Sequence, residues 1–474
     1  MNVGKDLRRT KIVATMGPAS NTPAVLSDLV KAGVDVVRLN MSHSDYTGHR
    51  QNIATVREVE KELGRPVCIL GDLKGPEIRT GLLETKEINL EPEDLLALTP
   101  EKCTGSTSRI HISYDDLSSD VSPGQLVYMS DGAISMHVEK IKGKDVFCRV
   151  ERGGKLGERK GLNFPGANLS LPFLMEKDYR DIEFLIDQNV DFIAASFVRC
   201  ASDIVGMRKF MDEKGGEGIK IIAKIETQQA VDDIDAIVKI SDGIMVARGD
   251  LGVEIPIAEV PLVQKMIIAK ANRRGIPVIT ATQMLDSMTF NAYPTRAEVT
   301  DVANAIIDGT DAIMLSGETA VGKYPALTVQ TMHKLAMKAE TTGVLKLEVA
   351  ERETSISRAT SVAACLLASQ LGVAAIITIT STGATPCRIA RNRPQRPIIA
   401  CSPDKKVIRQ LLLVWGVSPF YLSEQEYTDQ IHADSKSIAR KAGYLKEGDL
   451  VVIVSGIPVG VAGSTNTVKV DKLD

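Results

Sequence analysis

Eight short runs rich in valine, isoleucine and alanine, each followed by a stretch of helical period, predict an α/β chain built on a parallel (β/α)8 barrel of the TIM type. Two further observations refine this. Polar residues gather immediately after the runs, where such a barrel carries its function. The repeat is broken once, for about a hundred residues between Leu73 and Leu171, by segments that alternate with a period of two.

In order, the runs are Lys11–Thr15, Asp35–Leu39, Val67–Gly71, Asp191–Ser196, Ile219–Glu226, Gly243–Ala247, Pro277–Thr280 and Asp311–Leu315. Behind them stand R-L-N-M-S, G-D-L-K, S-F-V, K-I-E, A-R-G-D, A-T-Q and S-G-E-T. The interruption contains GQLVYMS, ISMHVEKI and DVFCRVERGG, punctuated by glycine and proline, which reads as a small β-barrel cap overhanging the mouth as a lid. A decorative insertion is the plainer alternative. After the eighth unit a helix from Pro325 leads to a charged linker near Leu347–Glu353. Beyond it SRATSVAACLLASQL, AAIITIT, PIIACSP, SPFYL and DLVVIVSG alternate helix and strand as a separate α/β layer. The expected domains are 1–73 with 172–345 for the barrel, 74–171 for the cap and 346–474 for the C-terminal domain.

The chain has 474 residues, is 44% hydrophobic and carries a formal net charge of -3, so it has ample core and no global basic field for nucleic acid. Its seven cysteines are odd in number and lack C-x-x-C spacing, which argues against a disulfide framework or a zinc site and fits a reducing cytoplasm. No apolar run approaches membrane-spanning length, and no targeting segment is expected.

Chemistry concentrates in Ile219–Gly252, read as strand, helix, strand and charged loop. Alternation along IKIIAKIE turns Lys224 and Glu226 to one face and Ile221, Ala223 and Ile225 to the other. Asp250 follows the next run, at the end of the adjacent strand. Glu226 and Asp250 can hold a hard divalent cation while Lys224 meets a developing anion, which are the parts phosphoryl transfer needs. A lone Lys-x-Glu would equally be a buried pair closing the barrel top. In VVRLNMSHS the spacing points Arg38, Asn40 and Ser42 inward. Arginine can clamp phosphate, and an amide with a hydroxyl can ligate a monovalent cation; an arginine tying down its loop is the alternative. Thr282 could pass a proton through water shared with Ser316 and Glu318, or merely cap a turn. Gly249 lets backbone approach a substrate carboxylate and offers its amide. Hydroxyls and amides of Thr380, Ser381, Thr382, Gly383 and Thr385, at a strand-to-helix junction, form a phosphate cradle or a solvated loop.

IKIIAKIETQQAV together with MVARGDLGVEIP resembles the active-site region of pyruvate kinases, and the likeness runs through the whole chain in order. It implies transfer of the phosphoryl group of phosphoenolpyruvate to ADP, giving pyruvate and ATP in glycolysis, with Mg2+ (or Mn2+) and K+ as cofactors. It implies Lys224, Thr282, Arg38 and Arg79 as catalytic, with Gly249 and Asp250 at the substrate. Nucleotide contacts fall to Asn40, His43, Arg79 and Lys160. Potassium falls to Asn40, Ser42, Asp72 and the backbone of Leu73, with Glu77 the residue that goes with potassium dependence. Met41, Ser44, Leu73 and Ser130 depart from the family pattern, and Ser130 puts a lid contact in doubt. The resemblance also implies an effector-phosphate loop at Thr380–Thr385 facing SGIPVGVAGSTN, where Ala384 removes a charge that Arg388, Arg391 or Arg393 could restore, and a homotetramer. The competing functions are an Mg-dependent barrel lyase acting on a keto acid and a non-catalytic fold relative; the RLNMS site and the cap argue against the first, and the complete set of site residues against the second.

Overall fold

The fold is a computed structural model that describes residues 8–342, 355–425, 427–457 and 465–473. The predicted linker near Leu347–Glu353 and most of the SGIPVGVAGSTN loop lie outside the described residues. Eight parallel strands close into a barrel: Lys11–Thr15, Val36–Asn40, Cys68–Asp72, Phe192–Ala195, Lys220–Ile225, Gly243–Ala247, Val278–Ala281 and Ala312–Leu315. Each pairs with its sequence neighbours, and the first pairs with the eighth through Lys11 opposite Ala312. Alternation sorts the side chains into two cores. Val13, Val36, Leu70, Ile222, Met245 and Met314 fill the interior, while Ile12, Val37, Ile69, Ile221, Ile244 and Ile313 face the surrounding helices.

Several strands begin one residue later than the sequence suggests, and the reason is electrostatic. Asp35, Asp191 and Asp311 sit just before strands two, four and eight, and Asp242 just before strand six. Their Oδ2 atoms accept from the amides of Ile12 at 2.9 Å, Ile69 at 2.8 Å, Val278 at 3.1 Å and Ile221 at 2.9 Å respectively. Four carboxylates thus cap the free amides of the four odd-numbered strands at the barrel's amino end, where no further residue continues the ladder. An arginine meets each one: Arg8 at 2.7 Å from Asp35, Arg409 at 2.8 Å from Asp191, Arg208 at 2.7 Å from Asp242 and Arg393 at 2.9 Å from Asp311.

The interruption folds as a seven-stranded sheet in the order Ile78–Arg79, Gly161–Asn163, Leu126–Met129, Ile134–Lys142, Asp145–Arg152, Leu95–Thr99, Arg109–His111, beside a separate antiparallel pair, Glu87–Leu90 with Gly154–Gly157. Its two edge strands meet through a bridge between Thr80 and Ile112 and through Gly81 N donating to His111 O at 2.8 Å, which draws the sheet round on itself. The C-terminal segment is a five-stranded sheet ordered Val417–Tyr421, Ile398–Ser402, Ala375–Ile379, Leu450–Gly456, Thr465–Lys472, the last antiparallel. That last strand was not anticipated, although T-V-K-V-D-K carries the alternation of a half-exposed edge. Arg393 and Arg409 belong to this domain, and its Leu412 and Leu413 join the barrel's interior cluster from below.

Candidate active site

At the carboxyl end of the barrel, Lys224 on the fifth strand is buried at the centre of an ionic cluster. Its Nζ lies 2.9 Å from Glu226 Oε1 and 3.3 Å from Asp72 Oδ1, and donates to Ser196 Oγ at 2.6 Å. Burial alone would strip its proton, but Asp72, Glu226 and Asp250 outweigh that and hold the ammonium well above its ordinary range. Asp72 moves the other way from the usual buried acid: Lys224 and Arg38 overcome its desolvation and keep it ionised below the ordinary carboxylate range. For Glu226 and Asp250 burial wins, their mutual repulsion adds to it at Glu226, and both acids are pushed up.

Arg38 projects into the same space from the second strand. Its Nε donates to Asp72 Oδ2 at 2.6 Å and its Nη1 to Thr15 Oγ1 at 3.0 Å. Asn40 lies directly across the sheet from Asp72 and accepts from Ser42 N at 3.1 Å, so the residues read as a monovalent-cation site converge. Leu73 O accepts from Ser196 Oγ at 2.7 Å. His43 is exposed beyond them, its carbonyl in contact with His49 Nε2.

Asp250 requires a correction. The stretch expected to be a charged loop is a helix, Arg248–Glu254, that starts as soon as the sixth strand ends, and Asp250 stands in its first turn and not at the strand end. Leu251 anchors that turn in the core, and the helix N-terminus favours an anion there. Thr282 also differs from its expected setting. It has φ of 66°, a conformation costly for a β-branched residue, and its hydroxyl accepts from Gly249 N at 2.8 Å. The amide expected to face a substrate carboxylate is thus taken by Thr282. Glu318 is turned to the amides of Ser316 at 2.7 Å and Leu285 at 3.1 Å, so it caps backbone and makes no hydrogen bond to Thr282.

Between cap and barrel lies a cleft of about 270 Å³ lined by Arg79, Ser130, Lys160 and Asp250, among others. Arg79 donates to Glu77 at 2.7 Å, and Lys74 lies 3.6 Å from the same carboxylate, so Glu77 is engaged by both cations. Asn163 of the cap bridges to Glu254 of the barrel at 3.1 Å. The effector loop lines a separate cavity of about 700 Å³ in the C-terminal domain. There Gly383 N donates to Thr380 Oγ1 at 2.9 Å and Thr385 Oγ1 meets Thr465 Oγ1 at 2.6 Å, so the loop is partly satisfied by itself, contrary to the expectation of free amides. Of the nearby arginines, Arg393 is committed to Asp311, while Arg388 lines the cavity with Nη1 buried and without a hydrogen-bond partner.

Sequence reading passed over Ser196, Thr15 and Arg248. Ser196 and Thr15 end inward-facing strand positions, a signal that was present. Arg248 donates to Ala281 O at 3.2 Å and Thr282 O at 2.6 Å while paired to Asp301 at 2.7 Å, a role that spacing alone does not disclose.

Glu226 Oε1 and Asp72 Oδ1 are buried against Lys224 Nζ, at 2.9 and 3.3 Å, and each oxygen has a further lone pair to offer as a hard donor at the mouth. Among the described residues no three His, Cys, Asp or Glu side chains form a complete metal shell. The pair Glu226 and Asp250 therefore fits a cation that a substrate also ligates.

A (β/α)8 barrel whose mouth joins an ammonium, an arginine and paired carboxylates beneath a β cap defines a class of metal-assisted group-transfer enzyme. Comparison with known families narrows it. Residues 7–329 match the model described as "Pyruvate kinase, barrel domain" and residues 358–471 the one described as "Pyruvate kinase, alpha/beta domain". The chain is 45% identical over 473 residues to a pyruvate kinase of Clostridium acetobutylicum, covering 99% of this chain and 100% of that protein. It is 47% identical to one from Geobacillus stearothermophilus, covering 98% of this chain and 80% of the relative, and 46% identical to pyruvate kinase 2 of Synechocystis sp., covering 98% and 79%. The chain belongs to the pyruvate kinase family and is an enzyme of the kinase class.

Proposed function

We infer that the chain transfers the phosphoryl group of phosphoenolpyruvate to ADP, yielding ATP and an enolate that is then protonated to pyruvate. The observation that carries this reading is the buried Lys224 ammonium, fixed between Glu226 and Asp72 with Asp250 beside it under the cap. Its raised affinity for the proton keeps it cationic at neutral pH, opposite a phosphoryl group in flight. Arg38 and Arg79 orient phosphate oxygens, and Lys160 and His43 face the nucleotide. Glu226 and Asp250 are the residues that would hold Mg2+ or Mn2+, which supplies positive charge to the phosphoryl oxygens when bound. Asn40, Ser42, Asp72 and the Leu73 carbonyl would hold K+. Thr282 delivers the proton through water, without Glu318, which is held by the amides of Ser316 and Leu285. The test is pyruvate formation from phosphoenolpyruvate with ADP and the divalent cation each omitted in turn. Pyruvate formation independent of ADP would mean transfer to water and overturn the kinase reading, and cleavage of a keto acid with no phosphoenolpyruvate present would favour the lyase.

Residues 1–73 with 172–345 are assigned to catalysis, 74–171 to the lid and 346–474 to regulation. Arg388, which lines the same C-terminal cavity as Thr382 and whose Nη1 is buried without a hydrogen-bond partner, supports a phosphorylated effector there. Sugar phosphates and AMP titrated at subsaturating phosphoenolpyruvate should shift half-saturation in the wild type and not in Thr382→Ala/Thr385→Ala, at unchanged maximal rate. Exposed apolar residues support a homotetramer with two kinds of interface. Ile257, Phe290, Tyr293 and Val321 follow barrel strands six to eight, and Ile356 and Tyr427 lie on the C-terminal domain. No described helix is long and apolar enough to cross a membrane, and a cytoplasmic setting is the one proposed.

A further inference from the structure

The chain crosses between barrel and cap twice, outward through residues 73–77 and back through residues 171–175, and one buried carboxylate holds both crossings. Asp178 stands in the first turn of the helix Glu176–Asp187, which returns the chain to the barrel. Its Oδ2 accepts from Met175 N at 2.9 Å, the local bond expected of an acid at this position of a helix start. Its Oδ1 accepts from Gly75 N at 3.0 Å, a partner 103 residues away that capping the helix does not require. The side chain is almost wholly excluded from solvent, and burial pushes its carboxyl above the ordinary range against the pull of the two amides.

What Asp178 holds bears directly on the mouth. Gly75 has φ of 73°, and a β-carbon there would come within 2.8 Å of Ser196 Cβ and 2.9 Å of Phe197 Cδ2, so the outward crossing is seated on these two residues with no space between. Ser196 Oγ accepts from Lys224 Nζ at 2.6 Å and donates to Leu73 O at 2.7 Å. Phe197, itself at φ of 53°, donates its amide to Glu226 Oε2 at 2.6 Å. Asp178 is therefore joined to Lys224 and Glu226 through Gly75 and one further residue, while touching neither.

We propose that Asp178 is a positioning residue for phosphoryl transfer: by pinning both crossings it seats Gly75 against Ser196 and Phe197 and so fixes Lys224 and Glu226 relative to Arg79 at the base of the cap. The inference rests on the reaction assigned to the mouth. It requires the helix cap and the seat of the crossing to fail together, whereas a carboxylate serving only its own helix would affect stability alone.

The experiment compares Asp178→Asn and Gly75→Ala, singly and combined, by steady-state kinetics and hydrogen exchange of the full chain. An asparagine has the same shape, but its amide nitrogen cannot accept, so one crossing is released whichever way it turns. Turnover should fall about tenfold or more, with phosphoenolpyruvate half-saturation within about threefold of wild type. Gly75→Ala lifts the same seat from the other side with the carboxylate intact, and should show the same split. Because both act on one contact, the double variant should lose little more than the worse single one. In the wild type, exchange needs neither variant nor turnover: residues 72–75 and 172–176 should open together, and in Asp178→Asn both should exchange faster. Turnover per folded molecule within about twofold of wild type, half-saturation that rises at unchanged turnover, or losses that multiply in the double variant overturn the role. Separate opening of the two segments overturns the pin. Should Asp178→Asn fail to fold, Gly75→Ala and the wild-type exchange decide, and a wild type without ADP-dependent turnover sinks the assigned reaction while the exchange still tests the pin.

Discussion

Lys224 is the residue on which the mouth is balanced, since three carboxylates share one ammonium. Replacing it by methionine removes a charge that acts mainly on the transition state, so turnover should fall about a hundredfold to a thousandfold while phosphoenolpyruvate half-saturation changes little. Steady-state kinetics decide, and near-normal turnover would show the assignment to be wrong. Arg248 makes a separate prediction. By holding the carbonyls of Ala281 and Thr282 it maintains Thr282 in its left-handed conformation. Arg248→Met should displace the hydroxyl and slow proton exchange at the methyl group of pyruvate, on the order of a hundredfold for a shift near 1 Å. Phosphoenolpyruvate affinity should stay close to wild type, and Arg248→Lys should recover part of the exchange. Unaltered exchange in the methionine variant would free Thr282 from that dependence.

At the scale of elements, the ring of aspartates joins strands to one another and the C-terminal domain to the barrel. Arg393 and Asp311 are both nearly excluded from solvent, so Arg393→Met strands a buried carboxylate and should cost about 3-5 kcal/mol in denaturant unfolding. Asp311 also accepts from Trp415 N at 3.2 Å, and the guanidinium groups of Arg9 and Arg393 lie 5.5 and 4.9 Å from the centre of the Trp415 ring. As the chain's one tryptophan it should report this loss directly as a change in fluorescence. A cost below about 1 kcal/mol would mean that the junction relaxes around the missing charge.

For the whole molecule, pH and assembly provide the tests. Burial opposes ionisation of Asp35, but Arg8, Lys11, Arg65 and the amide of Ile12 together lower it below the ordinary value of 3.8. Because the folded value lies below the unfolded one, this stability is present above pH 3.8 and is lost as pH falls through the lowered folded value. Melting temperature should therefore drop on acidification, with a shallower slope in Asp35→Asn; identical slopes would assign acid sensitivity elsewhere. Assembly through the barrel patch predicts that Phe290→Glu/Tyr293→Glu sediments as a smaller species than the wild type, since a charge would be buried in each apolar contact.

Strand composition and period were enough to read the barrel, the inserted cap and the α/β layer beyond it, because continuous apolar runs and alternation are local consequences of two-sided and one-sided burial. The same alternation put Lys224 with Glu226 and turned Arg38 inward, as the geometry bears out. What local pattern does not encode is who meets whom at a distance. Asp35, Asp191 and Asp311 looked like strand residues, yet they are caps for amides on other strands. Arg248 and Ser196 gained their roles from partners 34 and 28 residues away. Asp250 looked like a loop residue, while packing of Leu251 makes its segment a helix. Arg393 and Arg409 reach Asp311 and Asp191 from the C-terminal domain, pairings that only the docking of the two domains brings about.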